Sequence, residues 1–149
     1  MKKVFFSVFL TVVMFGISKA AEIVFIDVQT IVNQSKAGKD AQALLEEAGK
    51  KAQAEVEAKQ KSLKNDQKAQ EEFQAFAIQK QQEVLKRRDE LLQKFMKLVQ
   101  ENLESYGKSK GYSIIIDKQA VLYGKPELDK TDEFLKYFDS NYEKGEKIK

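Results

Sequence analysis

The 149-residue chain is predicted to be a mostly helical α+β protein, a long antiparallel helical hairpin arm attached to a small body of short strands. Three observations predict it. Residues 39–106 contain one glycine, Gly49, and no proline, and are dominated by Ala, Glu, Gln, Lys and Leu, the strong helix formers. Glu22–Val28 and Tyr112–Gly124 are, by contrast, short runs rich in β-branched and aliphatic residues. Within the long middle segment the apolar residues recur at steps of three, four and seven, the spacing of a helix that buries one stripe.

The N-terminus is set aside first. Lys2 and Lys3 precede an apolar run, Val4–Ile17, and Ser18-Lys19-Ala20 places small residues where a cut is expected. Residues 1–20 therefore read as a cleavable signal peptide, with a mature chain from Ala21. A membrane anchor is the rival, but the run falls short of the roughly twenty apolar residues that span a bilayer. Removing the segment also removes Lys2, Lys3 and Lys19 from 26 basic residues, leaving 23 against 23 acids. A neutral mature chain gives no electrostatic ground for nucleic-acid binding. There is no cysteine and no histidine, so disulfides, a structural zinc site and the commonest general base are all excluded. Cohesion must come from core burial or from association with further copies.

Along the mature chain, Glu22–Val28 reads as a buried strand, Val28–Ser35 as two turns of helix, and Ser35–Gly38 as a break. From about Lys39 the helical arm begins. Glu46 with Lys50, Glu55 with Lys59 and Glu83 with Arg87 are acid-before-base pairs four apart, the orientation that supports an exposed helix. Ala41, Leu45, Ala48, Ala52, Val56 and Leu63 form the expected apolar stripe of the first half; Ile78, Leu85, Leu92 and Val99, spaced by seven, form that of the second. A single helix over this length would extend about 100 Å with an unpaired seam, so the chain is expected to fold back. Ser62–Asp66 is the predicted turn, with Asn65-Asp66 capping the returning helix.

The seam is broad near Tyr106 and polar near the turn, where Gln81, Gln82 and Arg88 appear. Charge follows the same gradient. Residues 59–88 carry eight basic side chains against four acids, which makes the tip basic in a neutral protein. Gly107 and Gly111 are read as ending the arm, Tyr112–Asp117 and Ala120–Gly124 as two strands, and Pro126 as their close. Asp129 or Thr131 is expected to cap a last helix whose Phe134, Leu135, Tyr137, Phe138 and Tyr142 share one face, read as the lid of the body's core. The organisation is thus a body, 21–38 and 107–149, interrupted by an arm, 39–106.

This order of parts, with EIVFIDV at the start and GYSIIIDKQAVLYG after the hairpin, resembles the Skp family of periplasmic chaperones, also called OmpH-like. Ile114-Ile-Ile-Asp117 and Ala120-Val-Leu-Tyr123 carry the likeness, which extends over the mature chain. It implies a periplasmic homotrimer whose β-rich body holds three arms around a cavity, an ATP-independent holdase for unfolded outer-membrane β-barrel proteins. The arms here are shorter and the mature chain less basic than in the best-known members. Some members carry a lipopolysaccharide-binding cluster on the arm, which would fall on Lys80, Arg87, Arg88 and Lys94, with an anionic membrane surface as a related partner.

Residue by residue, Lys59, Lys61, Lys64, Lys68 and Lys80 are candidates to attract an acidic client, and Phe73, Phe76 and Ile78 to touch its apolar side chains. The plainer reading is a solvated face and a packed hairpin. Ile23, Phe25, Ile114, Ile115, Ile116, Val121 and Tyr123 are the candidate oligomerisation residues. Neighbouring carboxylates such as Glu71-Glu72 point to different helix faces and cannot converge on one bond, so no enzyme, cofactor, nucleotide or metal is expected. The rival function is a structural coiled-coil adaptor of the envelope with one fixed partner.

Overall fold

A computed structural model describes residues 22–145 and 147–149. The predicted signal segment lies outside them. The elements are β1 (Ile23–Ile26), α1 (Val28–Gln34), α2 (Lys36–Lys61), α3 (Gln67–Lys110), β2 (Ile114–Asp117) and α4 (Thr131–Lys144), with single 3-10 turns at Lys118–Ala120 and Pro126–Leu128.

Local chemistry places each boundary. Asp27 caps α1 by accepting from the Thr30 N–H. Ser35 serves two helices: its N–H closes α1 on the Ile31 carbonyl, and its buried Oγ accepts from the Gly38 N–H, 3.0 Å away, to start α2. The predicted break is therefore a one-residue corner, and the long helix starts at Lys36, not near Lys39. Asp66 caps α3 through the Ala69 N–H at 2.8 Å, so the chain turns at residues 62–66 as expected. At its far end α3 runs through Gly107 and stops at Gly111, whose φ of 76° is the left-handed conformation open to glycine.

The hairpin returns to a body in which β1 and β2 pair in parallel, Ile23 beside Ile114 through Ile26 beside Asp117. Val24, Ile26 and Ile115 face inward, where Ile115 abuts Gly107. The core lies between the root of α3 and α4: Phe95, Val99 and Tyr106 meet Phe134, Phe138 and Tyr142, with Ile26 and Ile31 beneath. Phe95 meets Phe138 edge-on at 6.1 Å, and Phe134 stacks on Phe138 at 5.8 Å. α4 is thus the lid predicted for it. The C-terminal residues extend this core, since Ile148 is buried, its N–H donates to the Tyr142 hydroxyl, and that hydroxyl donates to Asp40 at 2.7 Å.

Two expectations are corrected. Ala120–Gly124 is not a strand; Asp117 accepts from the Gln119 N–H and turns the chain into a 3-10 turn, which the Val121 N–H closes on the Lys118 carbonyl. Neither Asp129 nor Thr131 occupies the cap position of α4, which is Lys130 without a side-chain bond. Asp129 does accept from the Thr131 N–H, and Thr131 Oγ1 accepts from the Asp27 N–H, which ties α4 to the end of β1.

Candidate functional site: the arm and the exposed face of the body

The arm seam runs through Ala77, Lys80, Val84, Arg87, Leu91 and Phe95 of α3. The predicted heptad Ile78, Leu85, Leu92 is not that seam. It sits one residue further on, about 100° around the helix, and stays exposed. Val99 alone of the four is buried, because it has reached the body.

Towards the tip the seam becomes a layered polar contact. Phe76 is half-buried with the Lys59 ammonium 4.5 Å and the Lys80 ammonium 5.4 Å from its ring centre, and Phe73 is half-buried one turn nearer the tip. Lys80 reaches across the hairpin to Glu55 at 2.7 Å and back to Glu83 at 2.8 Å. These bonds, to Glu55 first and then Glu83, hold the Lys80 ammonium above its ordinary value, and the bond from Lys80 holds the Glu83 carboxyl below its own. Phe73, Phe76, Lys59 and Lys80 are therefore occupied within the hairpin, while Lys61, Lys64 and Lys68 stand exposed at the tip and Ile78 on the flank.

The four residues of the lipopolysaccharide expectation do not converge. Lys80 is engaged as above, Arg87 pairs with Glu90, Arg88 with Asp89 at 2.9 Å, and Lys94 donates to the Lys149 carbonyl. An anionic ligand there would have to compete with these exposed pairs, each worth about 0–1 kcal/mol.

On the body, the parallel register puts Ile23, Ile114, Phe25 and Ile116 on the face opposite the core. Ile23, Ile114 and Ile116 are exposed, whereas Phe25 is covered by Gly124, where a Cβ would come within 2.5 Å of the ring. Val121 is half-buried; Leu122 and Tyr123, at 104% and 87% exposure, project into solvent. Beside Phe25 a cleft of ≈ 660 Å³ holds Lys118 and Asp129, already paired at 2.7 Å. Burial opposes ionisation of Asp129, but the bonds from Lys118 and Thr131 outweigh it and hold its carboxyl low.

Residues 66–138, from the cap of α3 through β2 into α4, match the family model described as outer membrane protein (OmpH-like). Over these residues the chain carries an OmpH-like domain. A solved OmpH-like protein from Caulobacter crescentus, assigned as an outer membrane chaperone, superposes with a TM-score of 0.64 over 82% of this chain and 86% of that one at 18% identity, which establishes the shared fold. No curated protein matches the chain. The arm-and-body architecture described above is the fold shared with the Caulobacter crescentus protein. Among the described residues no helix is long and apolar enough to cross a membrane.

Sequence reasoning missed Leu85, Leu92 and Met96 as exposed apolar residues. The signal was present, since Gln81 and Arg88 occupy the positions that a buried heptad seam would fill with a second apolar set.

Proposed function

We propose that this OmpH-like chain is an ATP-independent periplasmic holdase that assembles as a homotrimer and shelters unfolded outer-membrane β-barrel proteins between its arms. The observation that carries the reading is the pairing of a rigid, solvated arm with an unsatisfied body face. Ile23, Ile114 and Ile116 form an aliphatic surface on a sheet of only two strands, and Leu122-Tyr123 beside it has strand-like composition without a strand to join. A second copy supplies both a cover for the isoleucines and an edge for Val121–Tyr123, which would restore the strand that the sequence predicts. Three such bodies hold three arms, and the exposed Lys61, Lys64 and Lys68 at each tip draw in acidic clients over a Debye length of about 8 Å.

Mature protein mixed with a urea-denatured outer-membrane β-barrel protein is expected to suppress its light scattering at about one trimer per client, with or without ATP. Unchanged scattering at stoichiometric trimer refutes the holdase. Assembly is tested separately: Ile114→Asp places a charge on the shared face and is expected to sediment as monomer with its arm intact. A trimer of unaltered mass refutes the assignment of that face.

A further inference from the structure

We propose that one flank of α3, marked by Ile78, Leu85, Leu92 and Met96, is the wall of the arm that touches the client, and that its occupant is an extended, non-native polypeptide supplying isolated apolar side chains. The inference rests on the chaperone reading and specifies which surface performs it.

Size comes first. The four residues are each between 42% and 56% exposed and are strung along roughly 27 Å of helix. Together they offer roughly 400 Å² of apolar surface, about half of what each partner buries in a stable interface between folded proteins. Spacing then excludes a helix as occupant. A second helix would need apolar residues interleaved with the heptad, and those places hold Gln81, Gln82, Arg88 and Asp89, whose polar groups would be buried without partners. What fits is a chain that can present one side chain at a time, at intervals of roughly 10 Å, and let each go independently.

The two sides of the hairpin also differ. On the Leu85 side, a groove of ≈ 400 Å³ opens where α2 offers Gly49 and Val56 against Ala77, and an added Cβ at Gly49 would meet nothing within 4 Å. On the other side the same length of arm has a narrower cleft of ≈ 160 Å³ rimmed by Lys51, Glu55, Lys80 and Glu83, with Lys80 already paired to both acids. An apolar side chain gains burial on the first side and would displace ion pairs on the second.

The test replaces Ile78, Leu85, Leu92 and Met96 together by serine. Affinity for a denatured outer-membrane β-barrel protein is expected to fall about 3-fold per site and roughly 50- to 100-fold in all, with helical signal unchanged. Serine at Gln79, Lys86, Glu90 and Gln93, on the opposite flank, is expected to change it less than 3-fold. Because the chain has no cysteine, Leu85→Cys and Lys86→Cys can each carry a benzophenone label; client cross-links are expected from position 85 and not from 86. Equal affinity of the four-serine variant, or equal cross-linking from both positions, overturns the proposal; should the variant lose helix, the cross-links decide. Cross-links between copies at position 85 without client also overturn it, by showing that another arm covers the flank. Wild-type protein that binds no client refutes the holdase reading itself, whereas binding by wild type with no loss in the variants refutes only this wall.

Discussion

Gly38→Ala and Gly49→Ala are the same chemical change in the same helix, and the structure predicts opposite signs. At Gly38 an added Cβ would lie 1.9 Å from the Val32 carbonyl oxygen and 2.9 Å from its carbon, backbone atoms of the preceding helix. Relief requires α1 and α2 to separate by more than about 1 Å, yet the buried Ser35 caps and Ile31 in the core fasten that corner. Overpacking costs about 1–3 kcal/mol and a loosened cap about 1 kcal/mol, against a helix-propensity gain of about 1 kcal/mol, so the net loss is about 1–3 kcal/mol. Gly49 has open space around it and should gain about 0.5–1 kcal/mol. Thermal unfolding followed by circular dichroism at one fixed protein concentration should show the first midpoint falling by about 4–12 °C and the second rising by about 2–4 °C. A midpoint for Gly38→Ala equal to that of Gly49→Ala would refute the packing described for the corner.

Asp66→Ala removes the cap of α3 at the arm tip and should cost about 1 kcal/mol locally. Hydrogen exchange should quicken over residues 67–72 and stay unchanged at Leu91–Tyr106; equal acceleration in both would contradict a tip that frays independently of the body. The pH response follows from the ion pairs. Glu83 and Glu133 are held below the ordinary carboxyl value, by Lys80 and Lys110 respectively, so their contribution is present above the unfolded value of about 4.3 and is lost as pH falls through the folded one. Lys80 is held high, so its contribution is complete below about 10.4 and is lost above. With no histidine in the chain, the thermal midpoint should be flat between about pH 5.5 and 9 and drop below about pH 4; a step near pH 6.5 would refute this. Ile148→Asp puts a charge where the C-terminal residues are buried against the core, and should lower stability by about 2–4 kcal/mol in urea titration, with a change under about 0.5 kcal/mol contradicting that packing.

What the sequence made legible is what short-range chemistry decides. The tip was readable because a capping aspartate follows four residues that suit a turn, and the lid because five apolar residues of the last helix repeat at helical spacing. The heptad of Ile78, Leu85 and Leu92 misled because periodicity says which residues share a face and not which face is covered; the true seam, one position away, repeats Ala77, Val84 and Leu91 at the same interval, but its smaller side chains and the interleaved Lys80 and Arg87 make it the less apolar of the two. The Lys80–Glu55 contact was invisible because it depends on the register of two helices joined through the turn. Ala120–Gly124 has the composition of a strand, but composition does not reveal the 3-10 turn at Lys118–Ala120, and beside β1 it is Asp129 and Lys130, not this segment, that reach Phe25.

That pairing has a kinetic consequence. β1 and β2 lie side by side although the whole arm separates them in sequence, so the arm is the crossover connection of a parallel sheet. A floppy linker of that length would make closure slow, but a hairpin zipped from its own local contacts delivers its two ends to nearly the same place. The prongs must therefore form before the isoleucine surface exists. In the proposed assembly a subunit stays mute towards its siblings until its own rod is complete.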